Sequence, residues 1–474
     1  METYGCQMNI SDGQLMEGIL EGGGYEIVRA PEDADVVLVN TCAIREHAET
    51  RVLGRVSQLN GLRRERPDMV IGVTGCMAQR LGETLLDQAP FVDLVMGPDG
   101  YRGLPDTLGR LERGSSSRSR PQGLADPDTD AIRVAPGGPG RVVERRSKRG
   151  PQLAVLQLDM DENYQGLEQR RATGPSAWVP IQRGCDHRCT YCIVPYVRGG
   201  EKNRSAVDVL AEIRALAEQG VTEVTLLGQT VNSYVWNDVG FPALLRDVAR
   251  VDGIRRVRFT SPHPNDVTEE LVSVMADEPA VCEQLHLPAQ AGNDRTLKRM
   301  LRRYTVESLL DRVDMVRTAV PEVALSTDII VAFPGETDDE FRDTLELMRT
   351  VRFDEAYTYK YSARDGTPAT RLPQADFVDP LEAQARLEEL IEVSRAIQSE
   401  INAGEVGRVE EVLVEGEGRD DGQIRGRTRR NKVVVFDGAR DRLGDYTHTL
   451  LKRTTGATFV GSEVGAKEPA TVAV

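Results

Sequence analysis

The sequence predicts an α/β protein in three folded parts: a doubly wound parallel α/β domain, a partly open parallel (β/α)6 barrel and a small antiparallel β-barrel. Three observations predict this arrangement. Valine-rich runs alternate with helical patterns over the first hundred residues, six strand-like runs separated by helical patterns follow between residues 178 and 361, and short alternating strands with glycine turns come last. With 474 residues, 40% of them hydrophobic, the chain can bury two or three cores.

Each of the first three strand-like runs is followed by one cysteine. The start of the chain runs into Cys6, and the apolar runs 35–39 and 69–73 lead to Cys42 and Cys76. Because the carboxyl ends of parallel strands line the ligand-binding crevice of an open sheet, we expect these thiols to converge. A single cysteine of this kind is more often a buried small hydrophobe. The shared placement favours a metal site with three thiolate ligands.

Residues 113–170 are expected to form a low-complexity linker or insertion. Between residues 114 and 150 the composition shifts to Ser, Arg, Pro, Gly and Asp, without an apolar period. The basic end, residues 141–149, is a candidate RNA contact, and a solvated tether is the simpler interpretation.

Six runs, each followed by a helical pattern, predict the parallel barrel: 178–181, 221–227, 256–259, 281–287, 323–331 and 356–361. Six units rather than eight leave such a barrel partly open, and its chemistry lies at the carboxyl ends of the strands. Five polar residues near those ends are candidate contacts to a cofactor or a base, although a rim Asn or Asp is as often a turn former. They are Gln229, Asn232, His263, Gln290 and Asp328.

The sharpest chemical signal is the CxxxCxxC spacing of Cys185, Cys189 and Cys192, directly after the first barrel strand. A cubane iron–sulfur cluster normally has four thiolate ligands, so three compact thiols leave one iron open to a small molecule. Zinc is the weaker alternative, because structural zinc takes four closed ligands and His187 lies on a loop too short to wrap around an ion. A disulfide is weaker still, because the sparse cysteines do not form a secreted-type framework.

The last part of the chain begins with a helix-start signal at Asp379, Pro380 and Glu382. Beyond Gly404, alternating runs with glycine turns predict the small barrel. Between residues 419 and 442, eight Arg or Lys face four Asp in a chain whose net charge is -16. This basic segment is a candidate polyanion site, with an ordinary solvated face as the alternative.

The predicted domain boundaries are 1–112, 113–170, 171–402 and 403–468. No apolar run approaches the roughly 20 residues that cross a bilayer, and no charged-then-apolar leader opens the sequence. We therefore expect a cytoplasmic protein without a membrane partner.

Over nearly its whole length apart from the linker, the chain resembles the methylthiotransferases of the radical S-adenosylmethionine superfamily. The motifs are Thr3-Tyr4-Gly5-Cys6-Gln7-Met8-Asn9, Asn40-Thr41-Cys42-Ala43-Ile44-Arg45-Glu46, Gly75-Cys76-Met77-Ala78-Gln79, Arg183-Gly184-Cys185 through Arg198-Gly199, Leu227-Gly228-Gln229, Val231-Asn232-Ser233-Tyr234, Leu285-His286-Leu287-Pro288, Ser326-Thr327-Asp328-Ile329-Ile330 and Phe333-Pro334-Gly335-Glu336-Thr337. Gln7-Met8-Asn9 and Ile44-Arg45-Glu46 are similar to the branch that acts on N(6)-dimethylallyladenosine in tRNA. Gly426-Arg427-Thr428 resembles the small RNA-binding barrel called TRAM.

The resemblance implies two 4Fe-4S clusters, one of which binds S-adenosylmethionine and starts the radical chemistry, while the other holds the sulfur to be inserted. Their ligands would be Cys185, Cys189 and Cys192, and Cys6, Cys42 and Cys76. Gln229, Asn232, Gln290 and Asp328 would bind the cofactor. The implied reaction adds a methylthio group to C2 of N(6)-dimethylallyladenosine next to the anticodon, with a second S-adenosylmethionine as methyl donor. The implied partners are the tRNA anticodon loop and a reductant such as flavodoxin or ferredoxin, and we expect a monomer.

For the base to reach both clusters it must leave its stack, and Tyr191, Tyr196, Tyr234 and Phe333 are candidate stacking partners. Cys282, at the head of an apolar strand, is expected in the core. Two rival hypotheses stay open. One keeps the chemistry and changes the substrate to threonylcarbamoyladenosine tRNA or a ribosomal protein aspartate. The other is a zinc-stabilised RNA-binding protein without catalysis.

Overall fold

The computed structural model describes residues 1–43, 46–116, 140–147, 149–171 and 174–465. The chain forms two compact units. The first unit comprises Met1–Ala172, Gln182–Arg188 and Cys192–Arg204, and the second comprises Thr173–Ile181, Cys189–Tyr191 and Ser205–Val474. Ile44 and Arg45 of the family-specific motif and residues 117–139 of the predicted linker lie outside the described residues.

The elements up to residue 203 belong to the first unit except for β7. In chain order they are β1 (Glu2–Tyr4), α1 (Gln7–Gly22), β2 (Val36–Thr41), α2 (Glu46–Leu62), β3 (Val70–Gly75), α3 (Cys76–Leu81), α4 (Thr84–Gln88), β4 (Leu94–Met96), α5 (Leu104–Ser116), β5 (Gly140–Ser147), β6 (Gly150–Gln157), β7 (Ser176–Pro180), β8 (Gln182–Arg183), α6 (Val194–Arg198) and β9 (Lys202–Asn203).

The first unit is built on a sheet of order β1-β2-β3-β4-β6-β5, in which all neighbours are parallel except β5 and β6. Successive side chains of β2 point to opposite faces. Val39 packs in a cluster with α2, α3 and α4, whereas Leu38 packs in a cluster with α1 and α5. Helices therefore cover both faces, and the doubly wound prediction is confirmed.

The prediction that residues 113–170 form a linker is wrong for β5 and β6, which are strands of this sheet. The strands β5 and β6 pair antiparallel, and β6 pairs with β4 through Leu153, Ala154 and Val155. The basic stretch 141–149, a candidate RNA contact, lies mostly on β5. There Arg145 forms ion pairs with Glu83 and Asp87. Because most residues of β5 are charged or polar, the composition of this segment does not predict a strand. The structure nevertheless buries Val143 on one face of β5.

The remaining elements belong to the second unit. They are α7 (Ala206–Glu218), β10 (Glu223–Leu227), β11 (Val235–Trp236), β12 (Val239–Gly240), α8 (Phe241–Ala249), β13 (Arg256–Phe259), α9 (Glu269–Asp277), β14 (Gln284–His286), α10 (Asp294–Arg299), α11 (Val306–Ala319), β15 (Ala324–Val331), α12 (Asp338–Val351), β16 (Glu355–Lys360), α13 (Pro380–Glu405), β17 (Val409–Glu417), β18 (Gln423–Thr428), β19 (Val433–Asp437), β20 (Tyr446–Thr454) and β21 (Thr458–Glu463).

Six parallel strands form the barrel of the second unit. The strands β13-β10-β7 and β14-β15-β16 make two three-stranded sheets, and a parallel bridge from Val257 to Val281 connects β13 to the segment before β14. One apolar core links the strands to α7–α13. The prediction of a partial (β/α)6 barrel is confirmed, with β14 shorter than the run 281–287.

The long helix α13 begins where its sequence signal predicts, because the Asp379 carboxylate accepts hydrogen bonds from the Leu381 and Glu382 amides. The chain then closes a five-stranded barrel of order β17-β18-β19-β21-β20 around Val412, Phe436 and Phe459. One pair, β19 and β21, is parallel, so the barrel is not wholly antiparallel. Among the described helices, none combines the length and the apolar character that a bilayer span requires.

Candidate functional site

Three cysteines of the first unit lie at the carboxyl ends of adjacent parallel strands. Cys6 precedes α1 just after β1, Cys42 follows β2, and Cys76 is the first residue of α3 after β3. Two glycine turns bring the strands close at these ends. Gly5 has a φ of 145°, and a Cβ there would lie 2.6 Å from the Cβ of Cys42. Gly75 has a φ of 95°, and a Cβ there would collide with the carbonyl oxygen of Thr41.

The thiols have unequal environments. Cys6 Sγ lies 3.2 Å from Asn9 Oδ1, and Asn9 Nδ2 donates to the Thr41 carbonyl at 3.0 Å. A hydrogen bond from the Cys42 thiol, opposed by burial and aided by the Arg198 charge, lowers the pKa of Cys6 to about 6. Burial raises the pKa of Cys76. The structure therefore brings the three predicted ligands together with one thiol poised as a thiolate.

Arg198, at the end of α6, contacts this group of thiols. Its Nε lies 3.1 Å from Cys76 Sγ, and its Nη2 donates to Asp12 at 2.6 Å. The second oxygen of Asp12 accepts from Arg183 at 2.6 Å, and all three charged side chains are buried. Although burial opposes ionisation, the charges of Arg198 and Arg183 lower the pKa of Asp12.

The remaining Arg198 nitrogen, Nη1, is buried and has no hydrogen-bond acceptor among the described residues. A buried guanidinium N–H without an acceptor is costly. Three thiols beside a cation with a spare donor match an anionic iron–sulfur cluster, which carries thiolate and sulfide charge. The residues present therefore fit such a group.

The CxxxCxxC loop follows β8 and passes from one unit to the other. Cys185 and Cys192 belong to the first unit, and the Cys185 amide donates to the Gly199 carbonyl at 3.2 Å. Cys189 belongs to the second unit, where its Sγ accepts a hydrogen bond from Arg302 Nη1 at 3.4 Å. That these three thiols share one cluster stays a prediction from their spacing.

Arg302 is only 9% exposed, yet its other hydrogen bonds go to neutral groups. Its Nη2 donates to the Pro288 carbonyl at 3.2 Å, and its Nε donates to the Tyr304 hydroxyl at 3.0 Å. No carboxylate contacts Arg302 in the part of the chain that the structure describes. Because an uncompensated buried charge is costly, the environment of Cys189 also fits an anionic thiolate ligand.

Two predicted cofactor contacts follow β10 at its carboxyl end. The side chain of Gln229 has a buried Oε1 without a hydrogen-bond partner among the described residues, as expected of a group that awaits a ligand. Asn232 is already engaged, because its Nδ2 donates to the His263 carbonyl at 2.9 Å and its Oδ1 accepts from the His263 amide at 2.7 Å. Asn232 thus fixes the loop after β13, and its contact to a cofactor stays a prediction.

The other two predicted contacts lie beside β15. Gln290 has a φ of 67°, and its amide donates to the carbonyl of Asp328 at 2.8 Å. The Asp328 carboxylate lies 3.3 Å from His286 Nε2, and Ser326 Oγ lies 3.0 Å from His286 Nδ1. Gln290 lies in the loop after β14, whereas Asp328 lies within β15 and not at its carboxyl end, and the ligand of both residues stays a prediction.

The stacking predictions are partly wrong. Tyr234 is 1% exposed and Phe333 is 0% exposed, so both are core residues and present no free ring face to a base. Tyr196 is exposed, whereas Tyr191 packs partly against the core. Cys282 is buried as expected. A motif at a strand end does not show whether its aromatic ring is exposed to a ligand or buried in the core. The sequence therefore misassigned Tyr234 and Phe333.

Most basic side chains of the segment 419–442 form ion pairs within the second unit. This finding corrects the prediction of a polyanion site there. These pairs are Arg427 with Glu415, Arg429 with Glu283, Arg430 with Glu405 and Glu410, Lys432 with Asp354, and Arg442 with Glu463. Most of these basic side chains are therefore neutralised by carboxylates of the second unit. Arg419, Arg425 and Arg440 are exposed.

Comparison with known families divides the chain in the same way. The family described as Uncharacterized protein family UPF0004 matches residues 1–97, the Radical SAM superfamily matches residues 179–348, and the TRAM domain matches residues 404–453. Among solved structures, the radical S-adenosylmethionine methyltransferase TsrM from Kitasatospora setae is similar, with a TM-score of 0.56 and 17% identity. The likeness covers 76% of this chain and 73% of that chain, and it bears on the fold alone.

Two relatives match this chain over more than nine-tenths of its length. The tRNA-2-methylthio-N(6)-dimethylallyladenosine synthase of Carboxydothermus hydrogenoformans is 41% identical over 467 residues, covering 96% of both chains. The protein of the same name from Parafrankia is 43% identical over 443 residues, covering 92% of this chain and 82% of its own. Together with the radical SAM and TRAM matches, this similarity shows that the chain belongs to the tRNA-2-methylthio-N(6)-dimethylallyladenosine synthase family of enzymes.

Proposed function

We propose that this enzyme adds a methylthio group to C2 of N(6)-dimethylallyladenosine next to the anticodon of tRNA. The observation that carries the proposal is the meeting of Cys6, Cys42 and Cys76 at one sheet edge, in a chain that also has a CxxxCxxC loop. Sulfur insertion by radical chemistry needs a site that makes the radical and a site that holds sulfur. The full-length relatives support the choice of substrate.

Each predicted domain takes one task in this proposal. Residues 1–112, extended by the strand pair β5–β6, hold the sulfur-carrying cluster. Residues 171–402 bind S-adenosylmethionine, and residues 403–468 contact RNA. The proposed residents are two 4Fe-4S clusters, with ligands Cys185, Cys189 and Cys192 in one and Cys6, Cys42 and Cys76 in the other.

When bound, these clusters and S-adenosylmethionine supply hydrogen abstraction at C2, sulfur insertion and methyl transfer. The protein contributes ligands, charge and position. Arg198 and Arg302 offset the negative charge of the thiolates that they contact. Gln229, Gln290 and Asp328 hold the cofactor or the base at the barrel rim, and Asn232 keeps the neighbouring loop in place.

The proposed partners follow from the chemistry. The substrate is the anticodon loop, whose unpaired bases leave the stack at modest cost. A small electron-transfer protein such as flavodoxin or ferredoxin supplies electrons. A tRNA-modifying enzyme of this kind works in the cytoplasm, and we propose that it acts as a monomer.

The test is anaerobic reconstitution with iron and sulfide, followed by assay on dimethylallylated tRNA with S-adenosylmethionine and a reductant. Nucleosides are identified by mass spectrometry, and iron is counted. The wild-type protein should hold about eight irons and form the 2-methylthio nucleoside. Cys189→Ala should lose both cofactor cleavage and product. Cys42→Ala should lose the product and keep some cleavage.

Cys282→Ala is the matched control, because Cys282 is buried outside both ligand sets. It should retain all iron and the product. Full product formation by Cys42→Ala or Cys189→Ala would contradict the assigned role of that thiol. A colourless zinc protein, or a product formed only on threonylcarbamoyladenosine tRNA or a ribosomal protein, would overturn the proposal in favour of a rival.

A further inference from the structure

The strand β16 presents two large aromatic side chains to solvent. Tyr357 is 42% exposed and Tyr359 is 39% exposed. The two residues alternate along the strand and so share one face, whereas Ala356 points to the other face and packs against the core. The helix α13 packs on β16 as well. The tyrosines therefore occupy the side of the barrel strands that is opposite the core-packed side.

The same face continues across the neighbouring strands. Tyr357 is the register partner of Asp328 in β15, and Ser326 is the partner of His286 in β14. The His286 ring meets Tyr357 edge to face, with centroids 5.9 Å apart and an interplanar angle of 62°. His286 is in turn held by Ser326 and Asp328. The Tyr357 ring is thus fixed by a polar cluster while part of its surface stays open.

This exposure is unusual for the position. The inner faces of parallel barrel strands are normally filled by packed side chains. Here two tyrosine residues remain about two-fifths exposed beside a carboxylate and an imidazole. Aromatic faces next to a few oriented polar groups are typical of sites that bind unstacked bases.

We propose that this face binds the target adenosine of the RNA loop, with Tyr357 and Tyr359 stacking on the base. Asp328 would accept the hydrogen that remains on the alkylated N6 nitrogen. The inference rests on the proposed function, because it names the surface that receives the substrate of that reaction. Tyr357 and Tyr359 lie outside the family motifs in the sequence.

Binding is measured with the full-length reconstituted protein, without S-adenosylmethionine or reductant, so that no chemistry occurs. The probe is a fluorescent anticodon stem-loop with N(6)-dimethylallyladenosine at the target position. Tyr357→Ala and Tyr359→Ala should each raise the Kd about 5- to 100-fold, whereas Tyr357→Phe and Tyr359→Phe should stay within about 2-fold. Arg342→Gln, which replaces an exposed arginine on α12, is the control and should leave the Kd unchanged.

A second measurement uses 2-aminopurine at the target position. Binding to wild-type protein should quench its fluorescence by stacking on tyrosine, and the two alanine variants should abolish the quenching. Wild-type Kd values in both alanine variants, or fluorescence that responds equally in wild type and variants, would overturn the inference.

The outcomes separate this inference from the proposed function. If Tyr357→Ala and Tyr359→Ala methylthiolate tRNA and bind the stem-loop like wild type, the inference fails and the proposed function stands. If the wild-type protein forms no methylthio product but binds the stem-loop with the dependences given above, the proposed function fails and the inference stands.

Discussion

Two buried arginines contact cysteine sulfurs, one in each unit, and they are held in different ways. Arg198 touches Cys76 and shares the carboxylate of Asp12 with Arg183. Arg302 touches Cys189 and is otherwise bound by neutral oxygens. Two guanidiniums with one carboxylate leave one net positive charge, and so does a single guanidinium among neutral groups.

Both thiol environments therefore present the same net charge, but through different networks. In the first unit the charge depends on an ion network that the fold must keep intact. In the second unit it depends on hydrogen bonds to carbonyl and hydroxyl oxygens. This difference predicts that substitutions in the two networks will affect folding and iron retention to different degrees.

The largest effect is expected for Asp12→Ala. The substitution leaves Arg183 and Arg198 buried without their counter-ion, which should lower the free energy of unfolding by about 3–5 kcal/mol. Chemical denaturation of the purified protein measures this loss. Asp35→Ala is the control, since the Asp35 side chain is almost fully exposed in its pair with Arg66. A loss for Asp12→Ala no greater than for Asp35→Ala would show that the ion network is not needed for folding.

A smaller effect is expected on iron retention. Arg198→Met and Arg302→Met should each speed the loss of iron to a chelator about 10- to 100-fold, the usual range for residues that support metal ligands. Each variant is made in a background that keeps one cluster. Arg198→Met is combined with Cys189→Ala, and Arg302→Met with Cys42→Ala.

Exchanging the backgrounds gives the control for that prediction. Arg302→Met with Cys189→Ala, and Arg198→Met with Cys42→Ala, should lose iron no faster than the single cysteine variants. Equal acceleration in all four proteins would mean that the arginines act through general stability and not through the adjacent thiols.

Tyr304→Phe tests the neutral network. Its hydroxyl oxygen accepts from Arg302, and its single hydrogen can be donated to the carbonyl of Pro288 at 3.0 Å or of Ala289 at 2.9 Å. Removing it should lower the free energy of unfolding by about 1 kcal/mol, with a matching decrease in the denaturant midpoint. Tyr196→Phe, at an exposed position, is the control and should show no change. A loss as large as that of Asp12→Ala would erase the distinction between the two networks.

The smallest expected effect is the pH dependence of the Asp12 contribution near neutrality. Because its folded pKa is lowered, this contribution is fully present above the unfolded pKa of about 3.9 and is lost only as pH falls through the folded pKa. The difference in unfolding free energy between wild type and Asp12→Asn should therefore be constant from about pH 7.5 to about pH 5.5. Denaturant titrations of iron-free protein in a Cys6→Ala background, where the thiol with a pKa of about 6 is absent, check this, and a difference that shrinks within that range would contradict the lowered pKa of Asp12.

Local sequence was a good guide where a strand end and a turn determine the geometry. Cys6, Cys42 and Cys76 follow β1, β2 and β3, and the glycines before Cys6 and Cys76 allow the close approach. The order of strands in a parallel sheet places such ends side by side, so their convergence was predictable. The position of Gln229 just after β10 was predictable for the same reason, whereas Asp328 lies within β15 and not at its end.

Sequence was a poor guide where charge or composition dominates a segment. The strand pair β5–β6 lies beside residues of low complexity, and its pairing with β4 depends on a partner more than 40 residues earlier in the chain. The basic segment around Arg429 reads as a polyanion site until its carboxylate partners, such as Glu283, are located. In both cases the deciding contact is remote in sequence.

The sequence by itself determined the α/β class, the succession of domains and the two sets of three cysteines, because these depend on periodicity and on residues near one another in the chain. Only the tertiary structure decided that Arg198 and Arg302 contact cysteine sulfurs, and that Tyr357 and Tyr359 are exposed whereas Tyr234 and Phe333 are buried. The physical reason is that burial, counter-ions and exposed faces are set by contacts between distant segments, which local patterns do not encode.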